Sequence, residues 1–100
     1  MSKHRQTKAC EFPPKVKKII FERDGGCCVL CGKPGMPNAH FVPRSHGGLG
    51  VEQNGLTLCF DCHYEYDHTA NRQEIHERLK AYLQGIYPEW DESKLIYRKY

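Results

Sequence analysis

The sequence lacks long apolar runs and is poor in large aliphatic side chains. Leu, Ile, Val and Phe together make up 20 of its 100 residues, which is the lower limit for a chain that folds around an apolar core alone. No run approaches the ~20 apolar residues of a membrane-spanning helix. No apolar stretch follows the basic residues of the first ten positions, as a secretory signal would require. We therefore expect one small domain in a reducing cytoplasm, with no membrane partner and with another source of stability.

Charge of one sign is concentrated at the amino terminus. Residues 1–23 carry seven Lys and Arg against two acidic residues, although the whole chain has a net charge of only +3. A basic segment of this kind suits a polyanionic partner, because Lys and Arg displace counterions from phosphates. A solvated, mobile terminus is the plainer interpretation. We therefore assign residues 1–12 to a flexible basic arm.

Short elements are predicted along the rest of the chain. Helical spacing of apolar residues predicts a helix over residues 15–23, and alternation predicts strands over residues 40–42 and 56–58. Asp61 is the predicted cap of a helix that ends between residues 66 and 68.

A longer helix is predicted after residue 70. Asn71 and Glu74 resemble a capping box, and Gly85 is the predicted stop. The buried face of this helix is expected to comprise Ile75, Leu79, Tyr82 and Leu83. His4 and His76 are expected to face solvent, and Trp90 and Tyr97 are expected to cover the open side of the core.

Four cysteines have the spacing of a zinc site. They form two Cys-x-x-Cys pairs, namely Cys28 with Cys31 and Cys59 with Cys62. Two such pairs complete a tetrahedral thiolate site, and four thiolates leave no position for water, so the predicted Zn²⁺ is structural. Cys27 competes with Cys28 as the first ligand, and we prefer Cys28 for its two-residue gap. Disulfides, a redox pair or an iron–sulfur cluster are the alternatives.

Residues 14–68 resemble the HNH endonuclease family. The segment between the cysteine pairs reads His-Phe-Val-Pro-Arg-Ser-His-Gly-Gly and then Asn-Gly-Leu-Thr-Leu-Cys-x-x-Cys-His. The three positions that name the family are His40, Asn54 and His63. The small, stand-alone HNH proteins of phages and prophages are the most similar type, which implies a bacterial or phage-infected cell.

This resemblance implies an α+β fold, a small zinc-stabilised ββα-metal domain of treble-clef type with flanking helices. Two short antiparallel strands, a Gly-rich loop and a helix would form the nuclease core over residues 13–70. Residues 71–100 would form a helix and tail that pack on that core.

The resemblance also assigns roles to site residues. His40 would be the general base that activates water, and Asn54 would fix the loop that orients it. His63 would hold a catalytic divalent cation that polarises the phosphate. Arg44 is placed to bind the substrate phosphate.

One departure from the family pattern concerns the second ligand of the catalytic cation. Many relatives carry Asp or His directly before the catalytic His, where this chain has Ala39. Asp67 lies four residues after His63 and would share its helix face, with His68 in reserve. A His, one carboxylate and several waters suit Mg²⁺ or Mn²⁺, with Ni²⁺ or Zn²⁺ as alternatives.

Plainer interpretations of the same residues remain open. His40 could pack in a strand, His63 could be a spare zinc ligand, and Asn54 could be a turn residue before Gly55.

The predicted function is metal-dependent hydrolysis of DNA phosphodiester bonds with weak or no sequence specificity. One alternative function is a zinc-stabilised module that binds DNA without cutting it. Ala39 supports this alternative, because it supplies no ligand for a catalytic cation. A scaffold for phage packaging or recombination proteins is the other. The sequence does not determine oligomeric state, sequence preference, or nicking against double-strand cleavage.

Overall fold

The computed structural model describes residues 5–97, with side chains described from residue 8 onward. Within these described residues, four helices and two strands follow one another. They are α1 (Arg5–Cys10), α2 (Pro14–Arg23), β1 (Met36–His40), β2 (Gly55–Leu58), α3 (Phe60–His68) and α4 (Arg72–Ile86). Short 3₁₀ helices at Arg44–His46, Glu52–Asn54 and Glu92–Leu95 shape the connections.

The two strands pair as an antiparallel hairpin with a long connection. Ala39 lies opposite Leu56 and His40 opposite Gly55, with an irregularity between Met36 and Ala39. With α3 directly after β2 and four cysteines gathered beside it, the chain has the predicted α+β architecture, compatible with a zinc-stabilised ββα-metal fold.

The first strand was predicted wrongly at residues 40–42, because β1 ends at His40 instead of beginning there. Pro37 and Asn38 obscured the strand in the sequence, since both residue types are poor strand formers. The apolar pair Phe41 and Val42 lies beyond the strand and is buried in the core. Apolarity at these two positions therefore indicates packing and not strand pairing.

The core lies between the hairpin and the helices. The predicted α2 is confirmed, and Ile20 is its fully buried side chain. The apolar stripe of α4 is also confirmed, with Ile75, Leu79 and Leu83 buried and Tyr82 half-buried.

Both predicted ends of α4 differ in detail from the structure. The side chain of Asn71 makes no capping hydrogen bond, so the capping box does not form. The helix runs through Gly85 to Ile86. A Cβ at Gly85 would meet open space, and a glycine stops a helix only where the backbone must turn left-handed.

Arg23 and Asp24 link α2 to the hairpin and to α4. The Arg23 guanidinium donates two hydrogen bonds of 2.8 and 2.9 Å to the Asp24 carboxylate. It also donates to the carbonyl oxygens of Glu52 and Gly55. The Asp24 carboxylate also accepts from the Thr57 amide. This ion pair was not predicted, because two adjacent residues of opposite charge do not by themselves indicate that their side chains are buried.

The amino-terminal segment differs from the predicted flexible arm. Residues 5–10 form α1, and Cys10 and Phe12 are only 2% and 8% exposed. Gly50 donates its amide to the carbonyl oxygen of Ala9 at 2.9 Å. The end of the arm is therefore packed on the domain, since the side chains of Cys10 and Phe12 are buried. His4 lies outside the described residues.

Within residues 5–97, none of the helices combines the length and apolarity needed to cross a membrane. The division of the chain at residues 12 and 70 and the compartment stay predictions.

Candidate functional site

The four predicted zinc ligands come together. The sulfur atoms of Cys28, Cys31, Cys59 and Cys62 all lie within 4.8 Å of one another. Those of Cys31 and Cys59 are 3.6 Å apart, and a regular tetrahedron with ~2.3 Å metal–sulfur bonds has edges of roughly 3.8 Å. The donor set and its spacing therefore fit Zn²⁺. Cys27 pairs its backbone with Pro34 instead and lies outside this cluster.

Local backbone geometry aims each cysteine pair at a common point. In the first pair, Gly32 adopts a φ of +81° and donates its amide to the carbonyl oxygen of Cys28. In the second pair, Cys59 caps α3, and its sulfur accepts from the Cys62 amide at 3.4 Å. The predicted cap, Asp61, lies instead inside the first turn of α3.

The thiols of the cluster differ in acidity. Burial raises the pKa of Cys28, but backbone hydrogen bonds around its sulfur outweigh that effect and bring the pKa to about 7. Burial and hydrogen bonding to the other sulfurs raise the pKa of Cys62. Four thiolates this close need a cation to stay ionised together, so metal binding to the cluster should release protons.

His40 lies at the end of β1, where its ring has two close partners. Its Nε2 is 2.7 Å from the carbonyl oxygen of Cys10, and the ring stacks on Phe12 at 4.0 Å between centroids. A carbonyl oxygen only accepts, so Nε2 carries the hydrogen and Nδ1 is the basic nitrogen of the neutral ring.

The acidity of His40 follows from the same surroundings. Burial lowers its pKa below the ordinary value, and the nearby charge of Arg44 lowers it further. Hydrogen bonding of the ring to the Cys10 and Asn38 backbones opposes the shift. A neutral imidazole at physiological pH results, and that is the form a general base requires.

Asn54 is completely buried and clamps the loop that follows His40. Its Oδ1 accepts from the Val42 amide at 2.7 Å, and its Nδ2 donates to the carbonyl oxygens of Val42 and Leu49. Its own carbonyl oxygen accepts from the Phe41 amide. These contacts hold the two residues after His40 against the far end of the loop.

A cavity of about 380 Å³ opens beside His40. Its walls comprise Glu11, Phe12, Lys17, Asn38, His40 and Arg44. The side chain of Arg44 is half-exposed, with a guanidinium nitrogen 3.9 Å from Glu11. The two cations outnumber the one carboxylate of Glu11, so with the imidazole they form a site that suits a phosphate group.

His63 and Asp67 share one face of α3, as their spacing predicts. The His63 Nε2 is 3.2 Å from an Asp67 carboxylate oxygen. His68 lies instead against the ring of Tyr64 at 4.7 Å. Arg72 lies 3.8 Å from the Asp67 carboxylate and would compete with a cation for it.

His63 interacts with His40 through space, since a proton on the His63 ring would lower the pKa of the His40 imidazole. Among the described residues, His63 does not line the cavity at His40. Ala39 is fully buried and carries no ligand atom. The arrangement therefore offers one imidazole in the cavity and a His–Asp pair on the neighbouring helix.

The sequence interpretation missed an aromatic network under the site. The Tyr66 hydroxyl donates to the carbonyl oxygen of Phe41 at 3.1 Å and lies 2.6 Å from Nδ1 of His76. His76 also stacks on Phe41 at 4.1 Å, so its predicted solvent-facing position is wrong. Burial lowers the pKa of His76. The sequence could have indicated this position. Tyr66 lies four residues after Cys62 and three after His63, so helical spacing places it on the face of α3 that carries these two site residues.

Trp90 covers the core as predicted. Its ring packs edge-on against Phe41 at 5.2 Å, and its indole donates to the carbonyl oxygen of Gln53.

No protein-family model matches the chain. In an alignment over 76 residues that covers 66% of the chain, the sequence is 33% identical to the type IV methyl-directed restriction enzyme EcoKMcrA of Escherichia coli (strain K12). The match covers 27% of that enzyme, so the chain spans about a quarter of the length of this curated relative.

Proposed function

We propose that the chain is a metal-dependent HNH-type nuclease domain that hydrolyses DNA phosphodiester bonds. The observation that carries the proposal is His40, whose Nε2 is committed to a backbone carbonyl at the edge of a cavity with two cations. Similarity to a restriction enzyme supports a nuclease-type function and DNA as the substrate. The exposed lysines of α2, Lys15, Lys17 and Lys18, add a sequence-independent attraction for phosphates, and Lys17 also lines the cavity.

In this proposal, His40 acts as the general base. Its Nδ1 takes a proton from water, the resulting hydroxide attacks phosphorus, and the bond from phosphorus to the 3′ oxygen breaks. Hydrogen bonding of the ring to backbone carbonyls favours the protonated imidazole that this step creates. Arg44 holds a non-bridging phosphate oxygen, and the leaving 3′ oxygen takes its proton from solvent.

His63 and Asp67 are the proposed ligands of the catalytic cation. Their 3.2 Å separation fits two neighbouring positions of an octahedral ion with ~2.1 Å bonds, such as Mg²⁺ or Mn²⁺. A divalent cation there would act as a Lewis acid on the phosphate. Water would complete the coordination shell, because Ala39 supplies no third ligand.

A non-catalytic DNA-binding module is the second candidate, and the buried methyl group of Ala39 favours it. With two protein ligands, one of them close to Arg72, the cation would be weakly held. A protein-interaction scaffold, with phage packaging or recombination proteins as partners, stays a further prediction from the sequence.

A plasmid-nicking assay with Mg²⁺, Mn²⁺ or Ni²⁺ tests the proposal. We expect His40→Ala to lower the nicking rate by about 10²–10⁴-fold, since it removes the general base. His63→Ala should give a similar loss that higher metal concentration partly restores. His68→Ala is the matched control and should nick like the parent chain.

Zinc content and DNA affinity must be measured on the same samples. Unchanged nicking by His40→Ala would refute the proposed base. DNA binding without nicking by the parent chain would establish the binding module, and absence of DNA binding would favour the scaffold.

A further inference from the structure

We propose that residues 9–12, here called the strap, orient the imidazole of His40 for proton transfer, with Phe12 as a positioning residue. The proposal rests on the proposed role of His40 as the general base. The strap would therefore be part of the hydrolytic site as well as a link to the basic amino terminus.

Two contacts from the strap restrict different rotations of the His40 ring. The hydrogen bond from Nε2 to the Cys10 carbonyl oxygen, 2.7 Å long, fixes the direction of the ring edge and the tautomer. The stack on Phe12, with an interplanar angle of 23°, fixes the plane of the ring. Together they hold the imidazole by one edge and one face while it still lines the cavity.

The strap is itself anchored to the loop that precedes β2. The Gly50 amide donates to the carbonyl oxygen of Ala9, and a Cβ at Gly50 would overlap the carbonyl group of Glu11. A Cβ at Gly55 would come within 3.0 Å of the Phe12 ring. Gly50 and Gly55 therefore leave the space that the strap occupies.

The charged groups around His40 come from several elements. Glu11 and Lys17 line the cavity with it, and Arg44 and His63 act on its charge. Removal of Phe12 would leave these charges in place and admit water to the covered face of the ring. The pKa of His40 should then rise toward its ordinary value of about 6.5.

The test compares Phe12→Leu, Phe12→Tyr and Gly50→Ala in the full-length chain. We expect Phe12→Leu to lower kcat for nicking roughly 10- to 100-fold, with KM for DNA changed less than about twofold, because ring orientation affects only the chemical step. Phe12→Tyr should restore the rate, since its ring can stack equally. Gly50→Ala should cause a similar loss of kcat, although Gly50 does not line the cavity.

The matched control is Phe21→Leu on the exposed side of α2, which should leave kcat unchanged. Nitrogen-15 NMR of the His40 ring provides a readout independent of activity. It should report hydrogen on Nε2 in the parent chain, and a raised pKa with mixed tautomers in Phe12→Leu and Gly50→Ala.

Normal nicking by zinc-loaded Phe12→Leu and Gly50→Ala would overturn the proposal, as would an unchanged ring titration and tautomer. If the parent chain does not nick, the proposed function fails, and the NMR arm alone then decides whether the strap orients His40.

Discussion

A single amide, that of Asn54, holds both ends of the loop that begins after His40. It makes three side-chain hydrogen bonds, to Val42 and Leu49, while it is fully excluded from solvent. Inside a protein each such bond is worth about 1 kcal/mol, and a partner left unpaired costs more. At the residue scale, Asn54 is therefore a structural clamp whose proposed catalytic effect would act through the loop.

Asn54→Ala should destabilise the chain by roughly 3 kcal/mol, because it leaves the Val42 amide and two carbonyl groups without partners. Urea unfolding of the zinc-loaded protein measures this. Asn71→Ala is the control, because the Asn71 side chain is exposed and makes no capping bond. Equal stabilities of the two variants would contradict the clamp.

At the scale of elements, the ion pair of Arg23 and Asp24 joins α2 to the hairpin and to α4. Tyr82 on α4 donates its hydroxyl to Asp24 at 2.5 Å, and Tyr87 just past α4 donates to Glu52. The Asp24 side chain is fully buried. Burial raises the pKa of Asp24, but hydrogen bonds from Arg23 and Tyr82 outweigh it and leave the pKa below its ordinary value.

Asp24→Asn should cost roughly 3–5 kcal/mol near neutral pH, since it leaves the largely buried guanidinium of Arg23 without its counterion. A carboxyl group with a depressed folded-state pKa contributes stability above its unfolded value of about 3.9, and this contribution is lost as the pH falls through the folded-state pKa. The difference between parent and variant should therefore shrink below about pH 4. Denaturant titrations at several pH values measure it, with the exposed Asp61→Asn as control. A stability difference between parent and Asp24→Asn that does not change with pH would contradict the role assigned to the Asp24 carboxylate.

At the scale of the whole molecule, the radius of gyration of the described residues is 13.1 Å. That value is ordinary for about 100 residues, although the large aliphatic residues are few. The four-cysteine cluster joins the turn after α2 to the start of α3, and both pairs border the same apolar core. A zinc ion there would cross-link the turn after α2 to the amino-terminal end of α3.

Chelation of zinc should unfold the chain, because structural zinc contributes about 10–16 kcal/mol of binding free energy, as much as a small domain's whole stability. Circular dichroism and a colorimetric zinc assay should change together. Zinc release should also increase as the pH falls, because protons compete with the metal for the thiolates. Cys62→Ser should lose zinc, whereas Cys27→Ser should retain it. A chelated chain that keeps its helices would refute the structural role.

Local signals in the sequence determined several elements in advance. The helix α2 and the apolar stripe of α4 were predicted correctly, because each depends on residues within a few turns of one helix. The same applies to the pairing of His63 with Asp67 on one helix face. Their catalytic roles, and those of His40, Asn54 and Arg44, stay predictions.

Only the tertiary structure decided how distant segments meet. The packing of residues 9–12 on His40, the burial of Asp24 and the contact of His76 with Phe41 join positions 28 to 58 residues apart or depend on such contacts. Charge and apolarity along the chain do not encode these contacts, since each of them joins residues that lie far apart in the sequence. The sequence by itself determined the two Cys-x-x-Cys pairs and the helix faces, which are short-range geometry. The surroundings of the candidate base were decided by long-range packing, because burial and hydrogen-bond partners exist only once the chain is folded.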